Sequence, residues 1–240
     1  MITKIITVDE IPVVVTRKDI KNLHVGVYPP HGNVRVSAPH HLDDEAIRLA
    51  IISRLGWIRR QQQAFARQQR ESAREMVTGE SHYYRGRRYR LNVIKQPGRA
   101  KIRLANNKTL ELQVSPGMDT AGRFRVLDRW YRQRLQEQLP DFFRQWEPII
   151  GVEVAECRIR RMKTRWGSCN IEAGRIWLNL ELIKKPALCL EYILVHEMVH
   201  FLERQHNDRF RDLMDQFLPD WRLRRDELNQ APLAYEAWDY

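Results

Sequence analysis

An α+β fold is predicted for this sequence, with a β-rich N-terminal region with helices over residues 1–150 and a smaller unit over residues 151–240 built on one chemically loaded helix. Three observations carry that prediction. Apolar and polar residues alternate in the stretches 11–36 and 83–114, the period of strands with one covered face. Apolar residues recur at helical spacing in 42–58 and 119–146. After residue 150 two short β patterns give way to helices.

In chain order, Ile11, Val13 and Val15, then Val25 and Val27, then Val34 and Val36 alternate around the turn Pro29-Pro30-His31-Gly32-Asn33, which predicts a hairpin or meander. Asp43-Asp44-Glu45 place negative charge in the first turn of a helix whose apolar positions are Ile47, Ile51, Leu55 and Ile58. Its Gln- and Arg-rich continuation, Arg59 to Arg74, is expected to be a solvated helix or linker. The second β pattern covers 83–93 and 101–114, with Pro97-Gly98 between its parts, a turn at Asn106-Asn107 and an end at Pro116-Gly117. A helical stretch with Phe124, Leu127, Trp130, Tyr131, Leu135 and Leu139 on its core face is interrupted by Pro140, which predicts a kink or two helices. Pro148 and Gly151 close this region, and the domain boundary is placed near 150. Beyond it we expect a strand over 155–163, a loop through Gly167 and Gly174, and a strand over 175–180. No internal repeat is visible in the sequence.

Composition narrows the functional classes. The chain has 240 residues, 43% hydrophobic and 30% charged, as in ordinary soluble proteins. No apolar stretch approaches the length of a bilayer span, and Asp9 and Glu10 spoil a signal-peptide pattern, so a cytoplasmic protein without a membrane partner is expected. Cys157, Cys169 and Cys189 form no C-x-x-C pair, which argues against a disulfide framework or a cysteine zinc ribbon. The net charge of +11, with clusters at Arg85, Arg87, Arg88, Arg90 and at Arg158, Arg160, Arg161, Lys163, Arg165, permits an anionic or nucleic-acid partner, although such arginines more often form solvated faces.

The chemistry concentrates in the helix after Pro186, a residue suited to a first helical position. Leu188, Tyr192, Val195, Val199 and Leu202 fall on one stripe, the expected core face. His196 and His200 lie one turn apart on its flank, so two imidazoles can approach one tetrahedral cation, while Glu197 points about 100° away from His196, toward a water on that cation. With eight histidines in the chain, the pattern H-E-x-x-H arises by chance only roughly 0.02 times per sequence of this length, so it is informative by itself.

The third ligand is the open question at this point. In an unbroken helix His206 would lie about 15 Å from His196 along the axis. The helical period resets, however: Asn207-Asp208 is a cap signal, and Phe210, Leu213, Met214, Phe217 and Leu218 begin a fresh stripe ending at Pro219. His206 then falls in a turn that can bring it back, which makes it the favoured third ligand over Glu203, Asp220, Asp226 and Glu227.

The segments Met162-Lys163-Thr164-Arg165-Trp166-Gly167-Ser168-Cys169, Ile176-Trp177-Leu178-Asn179, Pro186, His196-Glu197-Met198-Val199-His200, His206-Asn207-Asp208-Arg209-Phe210 and Pro219 together resemble the YgjP-like metal-dependent hydrolases, relatives of the SprT and WLM zinc peptidases. The specific likeness covers residues 150–225. It implies a zincin-like catalytic unit with one zinc ion on His196, His200 and His206, a catalytic Glu197, and a protein or peptide substrate. The histidine spacing equals that of metzincins, but Glu203 stands where their turn has glycine, and no Met-turn methionine is recognisable. The absence of C-x-x-C pairs separates the chain from SprT proteins that carry a zinc ribbon.

The expected activity is metallopeptidase hydrolysis through a metal-activated water, with Glu197 as general base. The strand at 175–179 is the expected edge for an extended peptide, and Arg165, Ser168 and Arg222 are candidates to bind substrate or stabilise an oxyanion. Two rivals use the same residues: a metal-dependent phosphohydrolase acting on nucleotides, and a basic nucleic-acid-associated module with a structural zinc.

Overall fold

The computed structural model describes residues 2–28, 32–67, 75–162 and 165–230. Pro29, Pro30 and His31 of the expected turn, the end of the Gln/Arg-rich stretch, and Lys163 and Thr164 of the quoted motif lie outside them. The chain forms two compact units that divide near residue 70.

The first unit contains β1 (Ile2–Val8), β2 (Ile11–Lys18), β3 (His24–Tyr28) and β4 (Asn33–Pro39), in the order β1-β2-β4-β3. β1 and β2 form a hairpin whose two turn residues, Asp9 and Glu10, both have positive φ, the turn that matches the strand twist. β2 and β4 run parallel, β3 and β4 antiparallel. Helices α1 (Asp44–Ile52) and α2 (Leu55–Arg67) follow, with the Asp43 carboxylate accepting from Ala46 N at 2.7 Å to cap α1. Val13, Val15, Val34 and Val36 of the sheet share a core with Ile47, Ile51 and Ile58 of the helices, as the two periodicities require.

The second unit opens on the same plan. Strands β5 (Ser81–Tyr84), β6 (Arg87–Lys95), β7 (Lys101–Leu104) and β8 (Thr109–Val114) take the order β5-β6-β8-β7, with the same alternation of antiparallel, parallel and antiparallel pairing. Helices α3 (Thr120–Gln136) and α4 (Leu139–Ile150) follow, and the Asp119 carboxylate caps α3 through Gly122 N, again at 2.7 Å. The expectation of no internal repeat is therefore corrected at the level of topology: four strands and two helices occur twice in one order. The Pro140 break is real, since Pro140 sits in the first turn of α4, where its missing N–H costs nothing.

Residue 150 is not where the compact units part. Gly151 ends α4 inside the second unit, and Leu110, Leu112, Trp130 and Tyr131 share one core with Ile176, Leu178, Leu194 and Val195. That core is closed by β9 (Glu156–Arg160), β10 (Gly167–Asn170) and β11 (Arg175–Asn179), a 3₁₀ turn (Leu180–Lys184), and helices α5 (Ala187–Val199), α6 (Asp208–Phe217) and α7 (Trp221–Gln230). The sheet order is β10-β11-β9, β10 pairing antiparallel and β9 parallel with the central β11. Two expectations change here. The stretch at Gly167 is a strand, not a loop, and 175–179 is the middle of the sheet, not its edge. Periodicity missed β10 because Gly167-Ser168-Cys169-Asn170 carries no large apolar residue to mark a buried face.

α5 is the central element of this unit. Pro186 stands one residue outside it as the N-cap. The helix is buried almost all round: Cys189, Leu190, Tyr192, Ile193, Leu194, Val195, Met198 and Val199 are covered, whereas Leu188 and Leu202 of the expected stripe are exposed. A helix apolar on every side belongs in the middle of a core. Burying each of Leu190, Ile193, Leu194 and Val195 contributes about 1.5–3 kcal/mol.

Its ends are tied as well. Trp146 Nε1 of α4 donates to Glu191 Oε1 at 3.1 Å, and Arg224 of α7 pairs with the other Glu191 oxygen and with Asp220 at 2.9 Å. At the N-terminal side, the β5–β6 turn docks on the segment leading into α5, with Arg85 N and Gly86 N donating to Ile183 O and Lys184 O at 2.9 and 3.0 Å. Gly86 has φ of +75°, and a Cβ there would lie 2.9 Å from Pro186 Cγ, so only glycine fits.

Candidate metal centre

α5 presents His196 from its last turn, and His200 is the residue that caps its C-terminus. Their rings are 4.8 Å apart and nearly perpendicular. The chain then turns: Leu202 N and Glu203 N both donate to Val199 O, and Asn207 Oδ1 accepts from Phe210 N at 3.0 Å to start α6. His206, immediately before that cap, is carried back beside the other two. Its ring lies 5.0 Å from His196 and 4.7 Å from His200, and one nitrogen from each of the three falls within 4.8 Å of the others. Among the described residues this is the group of three or more ligating side chains that can hold a metal ion.

The donors are in the right state for one. Burial, reinforced by the neighbouring His200 and His206, pushes His196 down to about 3, which keeps its imidazole neutral and its lone pair available. His200 is also held below its ordinary value by burial. Its Nδ1 donates to Glu203 O at 3.0 Å, since a carbonyl only accepts, and Nε2 is left as the ligating atom. His196 Nε2 and His206 Nε2 stand 3.0 Å apart, close to the separation of about 3.3 Å that two nitrogens take on a tetrahedral zinc.

Phe210 forms the apolar backing of this cluster. It is 2% exposed, and its ring centre lies 4.7–4.9 Å from each of the three imidazoles. Sequence reading placed Phe210 on the stripe of α6 and in the quoted motif, without a role beside the histidines. Three of the four competing ligands take other partners, and the cluster of histidines does not include Glu227. The Glu203 carboxylate accepts from Gln205 N at 3.0 Å, Asp220 pairs with Arg224, and Asp226 pairs with Arg225.

Glu197 is 6% exposed and lies at the bottom of a cleft of about 800 Å³ bounded by α5 and by β10 with its flanking residues. Burial raises its carboxyl to about 8, against a lowering by the Arg165 guanidinium. β10 passes so close that a Cβ on Gly167 would stand 2.6 Å from Glu197 Oε1 and 2.8 Å from its Cγ. Gly167 is thus required by the space Glu197 occupies, which the Trp166-Gly167-Ser168 motif by itself does not reveal. Arg165 and Ser168 line the cleft, whereas Arg222 does not: it pairs with Asp215 and stacks on Trp221, 4.5 Å from the ring centre. Tyr192, Cys169 and Arg204 also line the cleft and were not anticipated. Burial, together with the Glu197 charge, pushes the Cys169 thiol up to about 12.

Compared with known protein families, the sequence matches the YgjP-like metallopeptidase domain over residues 22–231. The chain belongs to the YgjP-like metallopeptidase family. No curated protein matches it significantly. The match takes in β3 to β8 and leaves out β1 and β2, and so reaches well beyond the stretch from 150 to 225 on which the likeness was first read. Among its described residues no helix is long and apolar enough to cross a membrane.

The Glu197 environment makes a pH prediction for this YgjP-like domain freed of metal. Between its ordinary value of 4.5 and about 8, the folded chain keeps a proton that the unfolded chain has lost. Its contribution to stability therefore falls as pH rises through that window. Thermal melts of the metal-free wild type and Glu197→Gln should diverge by several degrees between pH 5 and 8, with the wild type losing ground. His196 has the opposite slope below 6.5, but it is common to both proteins and cancels in the difference. Parallel melting curves across the range would refute the buried, protonated state.

Proposed function

We propose that the chain is a zinc-dependent metallopeptidase in which His196, His200 and His206 hold one zinc ion and Glu197 is the general base. The observation that carries this is the placement of a buried carboxylate, one residue beyond a ligand, at the floor of a cleft that also exposes the three imidazoles. Three imidazole donors suit zinc and leave a fourth position open; bound there, zinc supplies Lewis-acid activation of a water molecule. Glu197 takes the proton from the attacking water at its Oε atoms and returns it to the leaving amine.

Substrate is positioned by β10. Trp166 O accepts from Asn179 N at 2.8 Å, so the alternation of an antiparallel ladder turns the peptide groups of Gly167 and Cys169 away from β11, toward the cleft. An extended peptide adds to this edge as a further strand, beside Arg165 and Ser168 as substrate-binding residues. The edge assigned from sequence to 175–179 passes to β10.

Zinc-loaded protein assayed on an unfolded protein substrate and on nucleoside triphosphates tests the reading. Peptide products are expected and nucleotide turnover is not; the reverse outcome would make it a phosphohydrolase. A protein fit for this reaction is also expected to be sensitive at Gly167. Gly167→Ala pushes the Glu197 carboxylate aside, and displacement of a reacting group by about 1 Å is worth up to 100-fold, so kcat should fall by about 10- to 100-fold with zinc content unchanged. Wild-type kcat in that variant would show that the close approach has no catalytic consequence.

A further inference from the structure

Two guanidinium groups in the cleft take no hydrogen bond or ion pair among the described residues, those of Arg165 and Arg204. Four arginines near the cleft unit's core are taken up, Arg161 by Asp128 and Glu181, Arg175 by Glu156, Arg222 by Asp215, Arg224 by Glu191 and Asp220, so what sets Arg165 and Arg204 apart is their place in the cleft lining. Both cleft arginines also have fixed roots. Asn179, 4% exposed, donates through Nδ2 to Met162 O and Arg165 O, each at 2.9 Å, and accepts from Met162 N and Glu181 N through Oδ1. Three of the four bonds of this buried amide hold the backbone of Met162 and Arg165, and the fourth caps the 3₁₀ turn at Glu181. Arg204 projects from the tight turn between His200 and His206, which the Glu203 carboxylate closes on Gln205 N.

Charge along the cleft is graded. Arg165 stands just before β10, and Glu172, the cleft-lining carboxylate besides Glu197, stands just beyond its other end. Gly167, in contact distance of Glu197, marks the reacting position on the strand. Arg165 precedes it by two residues, about 7 Å along an extended chain. A carboxylate presented there meets a planar guanidinium able to take it in bidentate fashion.

We propose that the cleft selects peptides with an acidic side chain about two residues from the bond that is cut, read by Arg165 and Arg204. The inference rests on the peptidase reading and names the substrate class of that same site. The preference weakens with ionic strength, because both arginines face solvent at the cleft mouth.

The test uses fluorescein-labelled ten-residue peptides identical except for Glu, Gln or Lys two residues either side of a central Leu-Ala bond. Binding is read by anisotropy on the zinc-loaded Glu197→Gln chain, and cleavage on the wild type. The Glu peptide is expected to bind at least tenfold tighter than the Gln peptide at low salt, with the margin shrinking above about 0.3 M. Arg165→Gln and Arg204→Gln, made in the same background, should each reduce the margin by 3- to 10-fold at unchanged zinc content, and Arg165→Lys should restore part of it. Equal affinity for the Glu and Gln peptides overturns the proposal, as does displacement of the Glu peptide by a nucleoside triphosphate that binds more tightly. Selective binding without cleavage by the wild type would instead sink the peptidase reading and leave the selectivity standing. Equal cleavage of all three peptides would do the opposite.

Discussion

Glu197→Gln is expected to lower the rate of peptide hydrolysis by about 10²- to 10⁴-fold, the usual contribution of a positioned general base, while zinc content stays at that of the wild type. The substitution is nearly isosteric, so it preserves the packing of a side chain that is 6% exposed and lies against Gly167. What it removes is the ability to accept a proton. Ligand geometry is untouched, because His196 and His200 are fixed by the backbone of α5 and by the hydrogen bond from His200 Nδ1 to Glu203 O. Metal analysis beside a steady-state assay reads both halves. Undiminished hydrolysis at full zinc occupancy would take the base role away from Glu197.

His206→Ala is expected to weaken zinc binding by upwards of roughly 100-fold, more than the 10- to 100-fold that loss of even an outer hydrogen-bond partner costs a metal site. The two remaining imidazoles come from one helical turn and define a line of approach without closing it. His206, from the far side of the turn and 3.0 Å from His196 Nε2, supplies the third direction. Competition with a chromophoric chelator measures the loss. Unchanged affinity at a stoichiometry of one would mean that another side chain completes the site.

Much of this site was legible before any fold was known, for a physical reason. Two imidazoles and a carboxylate on one helix are fixed by helical geometry, and the Asn207 cap announces where the period breaks, so the gathering of His206 with the other two could be foreseen. The strands of the two four-stranded sheets were legible where Val, Ile and Leu alternate with polar residues. Other features depend on distant packing and leave a weak local trace. β10 is glycine, serine, cysteine and asparagine, with no apolar rhythm, although it forms the cleft wall. The core-facing stripe of α5 was misjudged because the helix is buried on nearly every side, and an amphipathic reading assumes that one side meets water. The repeated strand order stayed hidden because topology survives on alternation and caps, such as Asp43 and Asp119, with little identity between the copies. Arg222 was drawn to the site by charge alone, and Asp215 holds it elsewhere.

The three imidazoles straddle the turn between α5 and α6, two before it and one after. An ion held by all three is a cross-link across that turn, and its binding free energy adds to the stability of the folded chain as RT ln(1 + [zinc]/Kd). Without it, the α5–α6 turn rests on a few backbone bonds and the Glu203 and Asn207 side chains. Chelation should accordingly loosen α6 ahead of the buried α5, seen as faster amide exchange confined to its residues. On the proposed reading, loss of the ion would then empty the cleft and unfasten the turn that builds it at the same time.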